Sequence, residues 1–205
     1  LLEDYAPTIA EVYEDPVVRA NAASPDGHVY ITPAGEIAPW LDDGNEIFVN
    51  QKWLDAVGLD IPETLDEFKT MLEKFKDEDP NGNGLPDEIP LTMSFERGDL
   101  TRLMALFGLP INPDYHMQKD GEYIYGPTQV EFRNALEYLH ELYAEELLDE
   151  ESLTQDRAMM LAKGSTEPTI IGALLGFWAL DFCPPEVAKD YVAIPPMSGG
   201  MEGEP

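Results

Sequence analysis

Apolar positions along the chain fall into two periodicities. Leu65, Phe68, Met71, Leu72 and Phe75 recur at helical spacing, one buried face of a helix of about three turns. Thr64-Leu65-Asp66-Glu67 opens that helix as a capping box, in which the Thr64 hydroxyl takes the Glu67 amide and Glu67 returns a bond. Thr128-Gln129-Val130-Glu131 reads as a second capping box, and Phe132, Ala135, Leu136, Leu139, Leu142 and Tyr143 continue it as a long amphipathic helix. Shorter helices are predicted over 99–107, stopped by Gly108, and over 154–163, stopped by Gly164. Residues 1–23 read as mostly helical, punctuated by Pro7 and Pro16. Short strands are predicted over 28–32, 46–50, 89–93, 122–125, 169–175 and 191–194, with an irregular Gly/Pro-rich loop over 33–45. Strands alternating with helices predict an α/β architecture with a parallel or mixed sheet.

Charge narrows the function. The 205 residues hold 41 acidic against 12 basic side chains, a net charge of −29. A nucleic-acid binder needs a cationic surface, so DNA and RNA are excluded as main partners. Charge-driven binding to an anionic membrane is disfavoured for the same reason. The lone Cys183 rules out an internal disulfide framework and reads as a small buried residue. The longest apolar stretch, 169–180, is broken by Gly172 and Gly176, so it reads as a buried strand followed by a turn or short helix, not a membrane span. The chain starts without Met or a leader and closes on loop-like residues 198–205, so both ends read as cut from something longer.

The most specific motif is the loop at 79–88. Oxygen-bearing side chains recur at Asp79, Asn81, Asn83 and Asp87, and Gly84 falls at the sixth position, where a calcium loop turns sharply. Leu85, at the seventh, would contribute its backbone carbonyl. Hard Ca²⁺ takes six to eight oxygens, which such a loop supplies. Position twelve is Pro90 and a strand-like run follows, so the loop departs from an EF-hand; Glu88 is the nearest bidentate candidate. The competing reading is a polar Asn-Gly turn with incidental acids. The ion's role would be structural.

Other candidates are less specific. Glu96 and Arg97 follow a predicted strand end, where α/β folds bind ligands, although residues alone favour a solvated ion pair. Phe177 and Trp178 also follow a strand end; Trp178 reads equally as a stacking platform for a sugar ring or as core. Trp40 in its loop is the better ligand contact, whereas Trp53 packs between helix and sheet. His28, His116 and His140 are scattered, with no metal-ligand spacing among them. G-x-G-x-x-G, G-K-[ST], H-E-x-x-H and G-x-S-x-G are all missing.

Taken in order, Asp26-Gly27-His28-Val29-Tyr30, the run from Ile47 through Asn50, Lys52-Trp53-Leu54-Asp55 and Leu59, then Pro62-Glu63-Thr64-Leu65-Asp66-Glu67-Phe68 and the 79–90 loop resemble the extracellular solute-binding proteins of family 1. The resemblance covers nearly the whole chain. It implies one lobe of a two-lobed, type II periplasmic-binding-protein-like fold, a mixed sheet flanked by helices. Residues 1–44 would be a first-lobe segment and hinge approach, 45–195 the second lobe, and 196–205 the hinge return. It implies a non-enzymatic protein that captures a sugar or oligosaccharide in an interlobe cleft for an ABC permease. Cleft contacts would fall on Glu96, Arg97, Phe177 and Trp178, and calcium on Asp79, Asn81, Asn83, the Leu85 carbonyl, Asp87 and Glu88. The protein would be extracellular or periplasmic, tethered through a lipid anchor whose signal lies outside this sequence. A carbohydrate-active enzyme or accessory module, and a dockerin-like docking unit, are the competing classes.

Overall fold

The computed structural model describes residues 5–32, 46–94, 99–112, 114–119, 121–176 and 178–199. The chain forms two compact units, residues 1–42 and 43–205. In the first, helices α1 (Pro7–Val12) and α2 (Pro16–Ala22) each start on a proline, which lacks the amide that a first helical residue leaves unused. Asp15 caps α2 through the Val17 amide at 2.7 Å. The predicted strand at 28–32 is not formed. Among the described residues Val29 makes only an isolated bridge, to Ala23.

The second unit is built on a four-stranded mixed sheet in the order β2-β5-β1-β6. The strands are β1 (Glu46–Asn50), β2 (Ile89–Thr92), β5 (Ile171–Gly176) and β6 (Tyr191–Ala193). Strands β2 and β5 run parallel, while β1 is antiparallel to both β5 and β6. Every residue of β5 is buried, as a strand covered on both faces requires, and that explains its unbroken apolar sequence. Ile47, Val49, Ala173 and Leu175 belong to the main core, under helices α3 (Gln51–Val57), α4 (Leu65–Asp77), α5 (Asp99–Ala105) and α6 (Val130–Ala144). Phe48 and Leu174 belong to a second core with Met160, Phe182 and Tyr191, beside α7 (Arg157–Gly164) and α8 (Pro185–Ala188). A hairpin, β3 (His116–Lys119) with β4 (Glu122–Tyr125), forms a separate two-stranded sheet.

Helix α4 follows its sequence signals closely. The Glu67 amide donates to Thr64 Oγ1 at 3.1 Å, but Glu67 Oε2 accepts from the Glu63 amide, one residue earlier than the capping box prescribes. The expected box at Thr128 does not form. Residues Gly126–Thr128 make a 3₁₀ turn, the Thr128 hydroxyl donates back to the Tyr125 carbonyl, and Gln129 starts α6 without a side-chain cap. Trp53 is buried between α3 and the sheet, edge-on to Phe75 at 5.3 Å. Gly172 permits that packing, since a Cβ there would lie 2.5 Å from the Phe75 ring and 2.8 Å from Trp53. Within 196–205, the Ser198 amide donates to the Glu63 carbonyl and its carbonyl accepts from the Leu65 amide, while Met197 enters the core.

Candidate functional site

The parallel strands β2 and β5 end on the same side of the sheet. Ligands in open α/β folds gather outside such carboxyl ends. Trp178, one residue beyond Phe177 and two beyond β5, is 48% exposed there, so it is not a core tryptophan. It precedes a 3₁₀ turn, Ala179–Asp181, in which the Asp181 amide donates to the Trp178 carbonyl at 3.0 Å. Trp40, Glu96, Arg97 and Phe177 lie outside the described residues.

A buried polar network sits where β2 ends. Lys163 Nζ lies 2.6 Å from Asp149 Oδ2, 2.7 Å from Glu151 Oε2 and 3.0 Å from Gln155 Oε1. The Thr92 hydroxyl donates to Asp149 Oδ2 at 2.8 Å, and Gln155 Nε2 donates to both Thr92 Oγ1 and the Met93 carbonyl. The Asp149 side chain is 6% exposed and that of Lys163 16%. A buried charge pair holds only when its remaining hydrogen-bonding capacity is met, and here it is. The network fixes the backbone at Thr92 and Met93, directly before the segment that carries Glu96 and Arg97. Sequence reasoning missed it; Lys163 was visible only as the last residue of the predicted 154–163 helix.

At the opposite end of the sheet, just before β2, lies the 79–88 loop. Asp79 has a left-handed φ of 47°, and Gly82 and Gly84 have φ of 70° and 74°, which curl the chain tightly. Asp79 accepts amides from Asn83 (Oδ1) and Gly84 (Oδ2), both at 3.1 Å. Asn81 Oδ1 accepts from the Asn83 amide and Asn83 Oδ1 from the Leu85 amide. Both asparagines donate Nδ2 to Asp87 at 3.1 Å. Glu88 Oε1 is buried with no hydrogen-bond donor. Burial, then the nearby charges of Asp87 and Asp79, push the Glu88 carboxyl above the usual range. Hydrogen bonds thus tie Asp79, Asn81, Asn83 and Asp87 into one turn, with Asp87 and Asp79 near enough to Glu88 to raise its carboxyl. Among the described residues, no group of three or more His, Cys, Asp or Glu stands arranged as a metal cluster. The two amides face Asp87 with nitrogen rather than oxygen. Pro80 and Asn81 also border a groove of about 630 Å³ that runs to Thr169 and Lys189.

Cys183 is buried, and burial pushes its thiol up to about 11, far from a nucleophile's range.

An architecture of this kind, one α/β unit with exposed chemistry at its strand ends, is that of periplasmic-binding-protein-like lobes. The family model for bacterial extracellular solute-binding proteins matches residues 4–159, and the chain belongs to that family. It is 31% identical over 179 residues to the fructooligosaccharide ABC transporter substrate-binding protein FusA of Streptococcus pneumoniae, covering 80% of this chain and 32% of FusA. It is 33% identical over 117 residues to lipoprotein LipO of Bacillus subtilis, covering 55% of this chain and 23% of LipO. The structure of FusA in complex with kestose superposes with a TM-score of 0.75 at 25% identity, over 97% of this chain and 41% of that one. An EF-hand mutant of FusA in complex with fructo-nystose gives 0.78 at 25% identity, over 97% and 41%. An extracellular solute-binding protein from Bifidobacterium longum subsp. infantis gives 0.77 at 25% identity, over 98% and 42%. The chain thus spans about a third or less of the curated relatives it matches. The matched family and FusA are described as substrate-binding proteins of transporters rather than as enzymes.

Proposed function

We propose that this chain is the second-lobe part of a binding protein that captures an oligosaccharide for an ABC importer. The observation that carries the reading is Trp178, half exposed at the carboxyl end of the central strand β5, in a chain similar to a protein that binds kestose. The indole would stack on a sugar ring. Glu96 and Arg97, which follow β2 in sequence, and Phe177 would supply further contacts, with Trp40 contributing from residues 1–44. Residues 45–195 would form this lobe and 196–205 the return toward the hinge; the division into units at residue 42 supports the first of these boundaries. Closure of two lobes would bury the ligand and present it to the permease. The likeness to LipO supports an extracellular, lipid-tethered protein.

In the same reading, the 79–88 loop holds one structural calcium ion. Asp79, Asn81, Asn83, the Leu85 carbonyl, Asp87 and Glu88 would bind it, and it would neutralise the three carboxylates. The donor-less Glu88 oxygen and the clustered charge support the fit. Both asparagine side chains would turn to offer oxygen. An EF-hand in FusA supports it further.

The test is calorimetry on the full-length protein with kestose, stachyose and an alginate oligomer. One of them should bind, and Trp178→Ala should weaken it at least about tenfold, the loss of ~1.4 kcal/mol. Undiminished binding by that variant would overturn Trp178's role. Silence across neutral and acidic glycans would overturn the ligand class.

A further inference from the structure

The β3–β4 hairpin has two unlike faces. Met117 and Ile124 are paired across it, and Met117 packs against the main core. On the other face His116 opposes Tyr125 and Gln118 opposes Tyr123. The Tyr123 and Tyr125 side chains stand out from the protein, at 75% and 48% exposure. Their rings are nevertheless ordered by the imidazole between them. His116 stacks on Tyr123 with centroids 4.8 Å apart and planes 22° apart, and lies 5.0 Å from Tyr125.

The backbone beneath these rings is pinned at its base. Asn112 Oδ1 accepts the amides of His116 at 2.8 Å and Asp114 at 3.0 Å, while the Asn112 amide donates to the His116 carbonyl. The Gly126 amide donates to the Tyr115 carbonyl at 2.7 Å, closing the other strand onto the first. An aromatic platform held this way loses little freedom when something docks on it.

Size and chemistry select the occupant. The two tyrosines expose on the order of 250 Å². A stable protein interface needs about 800 Å² per partner, so the patch is too small for one. One or two sugar rings match it. Their axial C–H bonds point at the electron-rich ring faces, and exposed Gln118, paired with Tyr123 on the same face, offers a donor and an acceptor for hydroxyls. The net charge of −29 disfavours a polyanionic glycan and leaves a neutral one.

We infer that this hairpin face is a second glycan-binding surface, on a different sheet from the strand ends near Trp178. It takes one or two rings of a neutral oligosaccharide. The class of ligand rests on the reading above; the place does not. Two contacts and an open surface give weak binding, in the millimolar range.

The experiment uses the full-length protein with ¹³C-labelled tyrosine rings, titrated with stachyose and kestose by NMR, beside calorimetry for tight binding. The Tyr123 and Tyr125 signals should shift with a saturating, millimolar profile. Tyr123→Ala/Tyr125→Ala should weaken that phase at least about tenfold and leave any tight phase unchanged. Tyr123→Phe, which keeps the ring, should retain it. Both tyrosines are exposed, and a thermal melt confirms that the double variant folds. Tight binding with silent hairpin tyrosines overturns this inference alone. Absence of both phases overturns the oligosaccharide reading along with it. Tyrosine shifts that depend on protein concentration without sugar, and a sedimentation coefficient that the double variant lowers, would make the face a contact between copies and overturn it.

Discussion

Replacing Lys163 with Met isolates the network beneath the β2 end. The variant keeps the length of the aliphatic stem and removes the cation that lies 2.6 Å from Asp149 and 2.7 Å from Glu151. Glu151 is half exposed and turns to water at small cost. Asp149 cannot, because its side chain is 6% exposed in a folded chain. It keeps two donors, the Thr92 hydroxyl at 2.8 Å and the Glu151 amide at 3.1 Å. Breaking a buried pair costs about 3–5 kcal/mol when the survivor is left bare. Two retained donors and the partial exposure of Lys163 place this case at the low end, about 3 kcal/mol. For a protein of this size that is a fall in Tm of roughly 6–12 °C. Urea unfolding followed by circular dichroism measures it directly. Asp149→Asn removes the charge and keeps the shape, so Lys163→Met/Asp149→Asn should cost less than the two single variants together, by about 1–2 kcal/mol of coupling. A single-variant loss below ~1 kcal/mol, or strict additivity, would make this an ordinary surface pair and refute the argument.

Three shorter predictions accompany it. Gly172→Ala drives a methyl into Phe75 and Trp53, two rings with nowhere to retreat, and should cost about 2 kcal/mol in the same unfolding assay; a neutral result would mean the sheet and α4 are loosely joined. Millimolar Ca²⁺ at about a hundred times its Kd should stabilise the chelator-treated protein by ~2.7 kcal/mol, a melting rise of roughly 5–11 °C, and Mg²⁺ should not match it. In chelator, the raised Glu88 carboxyl holds a proton more tightly folded than unfolded, so the protein should gain stability as pH falls through the raised value toward 4.5 and lose it on the way up. Glu88→Gln should abolish that component, and saturating Ca²⁺ should suppress it; an unchanged pH profile in the variant would show that Glu88 does not titrate in the loop.

Legibility in the sequence tracked how local the cause was. Helix α4 was readable because its apolar period and its Thr64 cap lie within a dozen residues. Strand β5 was readable because burial on both faces leaves an unbroken apolar run. The Thr128 box failed because a second local arrangement, the 3₁₀ turn returning the hydroxyl to Tyr125, competes for the same side chain. Strand β3 was missed because His116-Met117-Gln118-Lys119 carries no β-branched residue, and only its pairing with β4 makes it a strand. The Lys163 network joins Thr92, Asp149, Gln155 and Lys163 from three separate segments, and no spacing rule spans 57 residues. At the candidate cleft, the strand-end position of Trp178 was legible and its exposure was not, since an apolar neighbourhood in sequence suits core and platform equally.

The two ends of the sheet face the same electrostatic problem with different means. Near the β2 exit, Asp149 and Glu151 are gathered and Lys163 neutralises them. Before β2, Asp87 and Asp79 lie near enough to Glu88 to raise its carboxyl, yet among the described residues no Lys or Arg forms an ion pair with any of the three; amides serve Asp79 and Asp87, and Glu88 Oε1 has no donor. A chain with 12 basic side chains for 41 acids cannot give every such cluster a cation of its own. Mutual repulsion and burial at Glu88 then persist as a cost of folding at neutral pH unless a cation comes from solution. A divalent ion would suit such a site better than a monovalent one, since several carboxylates would share it once the two amides turned their oxygens inward. On this reasoning the loop's acidity is a requirement for an external partner, and the calcium and Glu88 experiments separate that requirement from a polar turn that tolerates its charge.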